Sequence, residues 1–187
     1  MTGAQRGHPV LAEQFHHNLW ANLALIDFCA RLPDEILETN VPGTFGTIRD
    51  TLGHLTGTEE GYLSGLVEEQ AQRNPTANEQ ESPNLATLRE RALQSGEVLD
   101  LAIVREHAAQ SGEGLIAYAA AVEGNPTLQV IWHDQSYEFP AALLLVQAIN
   151  HATEHRTQIK TAPTQAGITP PELDGWTWDA AHRRATE

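Results

Sequence analysis

Four stretches of this chain repeat apolar residues at helical spacing, and the only strand-like runs are two short ones side by side. Residues 11–32 place Leu11, Phe15, Leu19, Leu23, Ile26 and Ala30 on one face, and Pro33 follows as a stop. A loop holding Pro42, Gly43 and Gly46 precedes a second helix over about 45–71, capped by Thr44 or Thr47. The polar stretch QRNPTANEQESPN leads to a third helix over about 83–110, with Ser82 as its cap and Pro83 in its first turn. Residues 111–125 carry SGEG and read as mixed helix and loop. TLQVIW and SYEF form a small hairpin, after which Pro140 opens a last helix over about 140–161. The remainder, 162–187, is a tail rich in Pro, Gly and Trp. Four amphipathic helices in 187 residues predict one all-α domain over 1–187, a four-helix bundle with a hairpin before its last helix.

Charge narrows the partners. The formal net charge is −14 and Lys160 is the only lysine. Nucleic acid and anionic membrane surfaces both require a basic face, so neither is expected as a partner. No apolar run is long enough to span a bilayer and the first residues hold no signal-peptide core, which predicts a cytoplasmic chain. Cys29 stands alone in an apolar run, so it forms no internal disulfide and reads as a small core residue.

Against this acidic background, QAINHATEHRTQ (147–158) sets His151 and His155 four residues apart. On a helix, such side chains lie above one another, roughly 5–6 Å apart at Cβ, within reach of one divalent ion. Both fall on the side of Leu144, Ala148, Ala152 and Ile159, facing the bundle interior. The pair lacks the glutamate of HExxH, since Ala152 follows His151, so it is not a zincin helix. A third ligand candidate is His54 in the second helix, at the rim of that helix's apolar stripe. Spacing alone fits a ligand there and a surface histidine equally well.

Glu59 lies in the middle of the stripe formed by Ile48, Leu52, Leu55, Tyr62, Leu63 and Leu66, where an unpaired carboxylate is costly. A pair with Arg156 of the last helix is the preferred account; a general base beside a metal is the rival. Gln158, on the histidine side, is a candidate hydrogen-bond partner for a ligand. His16 and His17 read as helix surface or edge, His107 and His133 as solvent-exposed, and His8 and His182 as terminal. Gly53, Gly57, Gly61 and Gly65 recur every four residues along the second helix. Such a ridge permits close approach, by the same helix of a second subunit in a homodimer or by the tail around Trp176 and Trp178.

The segments WANLALIDF, GTFGTIRDTLGHLTGTEEGYL, NHATEHRTQI and GITPPELDGWTW resemble, in order and spacing, the DinB-like family of metal-binding four-helix bundles. The resemblance implies that His54, His151 and His155 are metal ligands. Three imidazoles plus water form an open shell, the arrangement of a catalytic site rather than a closed structural one. Imidazole ligands suit zinc, nickel, copper and iron and do not select among them; zinc or nickel is the expected occupant, with iron or manganese as further ones. The ion would polarise an oxygen or lower the pKa of bound water or thiol. The activities implied are transfer of a low-molecular-weight thiol onto a small-molecule electrophile, and thiol-dependent isomerisation. The alternatives are a metal-dependent hydrolase and a non-catalytic, stress-associated metal-binding protein.

Overall fold

The computed structural model describes residues 9–73, 98–132 and 135–184. Helix α1 (Pro9–Cys29) opens on a proline, whose missing N–H costs nothing in a first turn. Its last residues close through i→i−3 bonds, Arg31 N to Phe28 O and Leu32 N to Cys29 O, ahead of Pro33. A one-turn helix α2 (Asp34–Leu37) follows, unforeseen from the sequence. Arg49 holds α2 in place by pairing with Asp34 and Glu38 and donating to the Leu99 carbonyl. Helix α3 (Ile48–Arg73) begins at Thr47, whose hydroxyl accepts from Asp50 N while the Asp50 carboxylate accepts from Thr47 N and Oγ1. This reciprocal capping resolves the Thr44/Thr47 choice in favour of Thr47.

The third long helix departs from expectation. The chain is non-helical at 98–100, and α4 (Leu101–Ala121) starts there, with the Asp100 side chain accepting from Ala102 N at 2.8 Å. An unbroken helix over 83–110 is thus corrected; residues 83–97 lie outside the described residues, as does the Ser82 cap. Asp100 is a strong N-cap, and its side chain takes up a backbone donor that a continuous helix would use internally. The helix also runs on through SGEG to Ala121. Gly112 is buried there, and a Cβ on it would lie 2.5 Å from Leu19 Cδ1 of α1. Gly114 meets Leu63 of α3 in the same way. These glycines serve close helix packing, which outweighs their poor helix propensity.

Strands β1 (Thr127–Trp132) and β2 (Gln135–Pro140) form the expected antiparallel hairpin, in register Val130↔Tyr137. It is seated by the buried Leu128 and leads into α5 (Ala141–Ile159), whose first N–H groups donate to Pro126 O and Asn125 Oδ1. The tail is not irregular throughout: α6 (Thr161–Gln165) and α7 (Gly175–Arg184) occupy it.

Helices α1 and α3 each pack against both α4 and α5, which gives the four-helix bundle. One core cluster holds Leu25, Ile26, Leu52, Leu55, Val104 and Ile159; a second holds Phe15, Leu66, Leu115, Tyr118, Leu128 and Leu145. Between them lies a buried polar layer of Asn18, Asn22 and Glu59, with Arg156 beside it. Along the α3 glycine row, Gly53 is buried, Gly57 and Gly65 half-buried and Gly61 exposed. The last helix of the tail makes its main contact with α1. Trp178 packs edge-on against His17 of α1, and Trp176 is 83% exposed. None of the described helices is long and apolar enough to cross a membrane.

Candidate metal centre

Packing of α3 against α5 carries His54 to the two histidines of the last helix. His151 Nε2 lies 3.1 Å from His54 Nε2 and 3.1 Å from His155 Nε2. One nitrogen from each residue falls within 4.8 Å of the others. His155 is buried, and His54 and His151 are half-buried. A tetrahedral shell with Zn–N bonds of 2.0–2.1 Å places its nitrogens about 3.3 Å apart; two of the three separations already match, and the third, at up to 4.8 Å, closes on an ion by side-chain rotation.

The protonation pattern favours ligation. His155 Nδ1 faces Gln158 Oε1 at 2.8 Å, and the same oxygen accepts from Phe45 N at 3.3 Å. Phe45 N–H can only donate, so the Gln158 atom facing both groups is the oxygen. His155 Nδ1 therefore carries a proton, and its Nε2 presents a lone pair to the cluster. Gln158 is the hydrogen-bond partner that its position on the helix suggested. The basicity of His151 is pushed down to about 4, first by burial and then by the neighbouring His155 and His54. At 3.1 Å, each pair of facing Nε2 atoms needs a proton or a cation between them, since two bare lone pairs would repel. His151 Nδ1 is buried and has no hydrogen-bond partner. Among the described residues, no cysteine or carboxylate joins the cluster.

The loop before α3 forms one wall, which sequence reasoning missed. The Phe45 ring stacks on His54 at a centroid distance of 3.9 Å and 12° between planes, and presents its T-shaped contact to His155 at 5.6 Å. Tyr62 stands edge-on to His151. Phe45 lies in GTFGT, where an aromatic flanked by glycines two residues before a helix cap is a visible signal for a residue placed over a site.

The DinB family model matches residues 5–185. The chain belongs to the DinB family. No match was found among curated proteins or among solved structures.

In this DinB bundle Glu59 is fully buried, but its partners differ from the expected one. No direct Glu59–Arg156 ion pair forms. Asn18 Nδ2 donates to Glu59 Oε1 at 2.7 Å, and Asn22 Nδ2 donates to both carboxylate oxygens at 3.1 and 3.0 Å. Arg156 Nη1 donates to Asn18 Oδ1 at 2.7 Å and Asn22 Oδ1 at 2.6 Å, while Nη2 donates to Thr153 Oγ1. A carboxylate only accepts and a guanidinium only donates, so each amide turns its NH₂ to one and its oxygen to the other. Burial pushes the Glu59 carboxyl up to about 7, against the pull of Asn18, Asn22 and Arg156. Burial likewise lowers Arg156 to about 10, with Glu59 opposing. The asparagines take three of the roughly four acceptor positions of Glu59, so the carboxylate serves the polar layer first. Asn18 and Asn22, four apart on the inner face of α1, carried the same signal as Glu59, polar residues inside an apolar stripe.

The remaining histidines stand apart from the cluster. His107 is not solvent-exposed as expected: it is half-buried, with Nδ1 on Glu60 Oε1, because α4 lays it across α3. His17 Nε2 bonds the Leu173 carbonyl at 2.9 Å and so fastens the tail, while His16 and His182 are exposed. His8 and His133 lie outside the described residues. Cys29 is buried in the core, and burial pushes its thiol up to about 12, as suits a packing residue.

Proposed function

We propose that this chain is a metal-dependent enzyme that transfers a low-molecular-weight thiol onto a small electrophile, or uses that thiol in an isomerisation. The observation that carries the reading is the open cluster: three imidazole nitrogens within 4.8 Å of one another, joined by no fourth protein ligand among the described residues. Membership of the DinB family supports it. His54, His151 and His155 would hold the ion, zinc or nickel by preference, and an ion there lowers the pKa of a thiol or water at its open position. The chain's own groups do the rest. Gln158 fixes the His155 tautomer, Phe45 and Tyr62 shield the histidines from bulk water, and the Glu59–Arg156 layer holds α1, α3 and α5 in register. Cys29 offers no rival nucleophile. The reading also places the chain in the cytoplasm, where thiols are kept reduced, as a homodimer across the α3 glycine row.

Elemental analysis of the purified protein beside its His151→Ala variant comes first, followed by a thiol-conjugation screen with the metal-loaded protein. About one ion per chain, lost in the variant, with thiol-dependent consumption of an electrophile is the expected result. Turnover of esters or amides without any thiol would make the chain a hydrolase instead. A bound ion with no turnover in either screen would leave a non-catalytic metal-binding protein.

A further inference from the structure

Gln158 touches both sides of the histidine cluster. Its Oε1 accepts from His155 Nδ1 at 2.8 Å and from the backbone N–H of Phe45 at 3.3 Å. The ring of the same Phe45 lies flat on His54 and edge-on to His155. One amide oxygen therefore joins the outer nitrogen of one histidine to the residue that covers another. Phe45 is 45% exposed, so it is the boundary between the cluster and solvent rather than part of a core. The loop around it is held at both ends. Thr44 Oγ1 donates to Val41 O at 2.7 Å, Gly43 turns at φ 88°, and Thr47 is fixed as the cap of α3.

We propose that Gln158 couples occupancy of the three-histidine site to the position of Phe45, which acts as the gate through which ions and substrates reach the histidines. The inference rests on the reading that these histidines hold a divalent ion. Holding an ion at His155 Nε2 requires the proton at Nδ1, the atom bound to Gln158. A ligated imidazole is a stronger N–H donor than a free one, so occupancy favours the Gln158 orientation that also receives Phe45 N–H. Conversely, an outward shift of the Phe45 backbone takes its N–H away from Gln158 and lifts the ring from His54. The gate is apolar on its inner side, so it admits ligands that can displace or pack against a phenyl ring and hinders strongly hydrated chelating anions.

The test is the rate at which zinc passes from the loaded protein to a colorimetric chelator. It is measured for wild type, Phe45→Ala, Gln158→Leu, Gln158→Glu and the Phe45→Ala/Gln158→Leu double variant. Gln158→Leu is expected to speed release roughly tenfold, the low end for removing a ligand's outer partner. Phe45→Ala is expected to speed it as well. The double variant should then release more slowly than the product of the two single effects, because part of the Gln158→Leu effect is the freeing of Phe45. Gln158→Glu keeps an acceptor for both N–H groups and is expected to release no faster than wild type. Multiplying effects in the double variant, or unchanged release in Phe45→Ala, would overturn the gate while leaving the metal site standing. Failure of wild type to bind zinc at all would overturn the site reading itself, and the gate with it.

Discussion

Glu59 and Arg156 carry opposite charges in the bundle interior yet do not touch; Asn18 and Asn22 stand between them, each amide bonded to both. The consequence reaches the metal centre. Arg156 follows His155 directly, and Glu59 lies on the helix that carries His54. A layer bonded to α1, α3 and α5 at once resists rotation of α5, and rotation of α5 would withdraw His151 and His155 from His54. Two buried ions held through charge-assisted bonds strongly penalise alternatives in which either loses its partners.

Removing one bridge exposes that dependence. Asn22→Ala deletes two donations to Glu59 and one acceptor for Arg156, leaving both charges under-satisfied in the core. Stability is expected to fall by about 3–5 kcal/mol, the usual range when a buried ionic group loses its partner, measured by urea denaturation. Asn18 remains to join the two charges, so the variant should still fold. A loss within 0.5 kcal/mol would show that the layer adds little beyond its packing.

Ion binding should appear as stability. A ligand that binds only the folded chain at about 100 times its Kd raises stability by about 2.7 kcal/mol. Zinc titrated into the chelator-treated protein is therefore expected to raise the melting temperature with concentration, and chelator to reverse the rise. His151→Ala, with two of three ligands left, should show little of this response. An equal response in the variant would place the ion elsewhere.

Cys29 offers a check on the core and on pH. Its thiol ordinarily titrates near 9, and burial moves it to about 12. The folded state thus holds this proton more tightly than the unfolded one. The resulting contribution to stability is complete below about pH 9 and is lost as pH rises from there towards 12. At pH 8 the native protein is expected to leave an aromatic disulfide reagent unreduced, with one thiol per chain appearing in denaturant. Rapid native labelling would mean that the α1 face opens readily.

Those features that lie within one helix were legible in the sequence. His151 and His155 share a face by spacing alone, and Gln158 follows on the same side. His54 was not placed by spacing, because its approach to within 3.1 Å of His151 depends on how α3 meets α5; only the family resemblance supplied it. Glu59 announced its burial by standing in an apolar stripe. Its partners lay on another helix, and the charge rule pointed to Arg156 where two neutral amides intervene. Local propensity misled at α4, where SGEG reads as a break but Gly112 and Gly114 are close-packing positions against Leu19 and Leu63. The reverse held at Asp100, a cap concealed inside an apparently continuous helical pattern.

The same substitution should act differently at two glycines. Gly61 is exposed within α3, and a Cβ there meets nothing within 4 Å. In an isolated chain Gly61→Ala should therefore stabilise by about 0.8–1.0 kcal/mol, the difference in helix propensity; in the homodimer proposed across this row the added methyl meets the partner helix and the gain is lost. Gly112 is buried in α4, where a Cβ would sit 2.5 Å from Leu19 Cδ1 and 3.1 Å from Leu19 Cβ. The Cβ contact cannot be relieved by a rotamer change, so α1 and α4 must move apart. Overpacking of this kind costs about 1–3 kcal/mol, and the propensity gain offsets only part of it. Gly112→Ala is thus expected to be neutral to about 2 kcal/mol destabilising. Thermal denaturation paired with light scattering reads both effects. If Gly61→Ala lowers the melting temperature and the mass in solution falls, the glycine row is an interface with a second subunit, and the bare α3 ridge is kept for that contact.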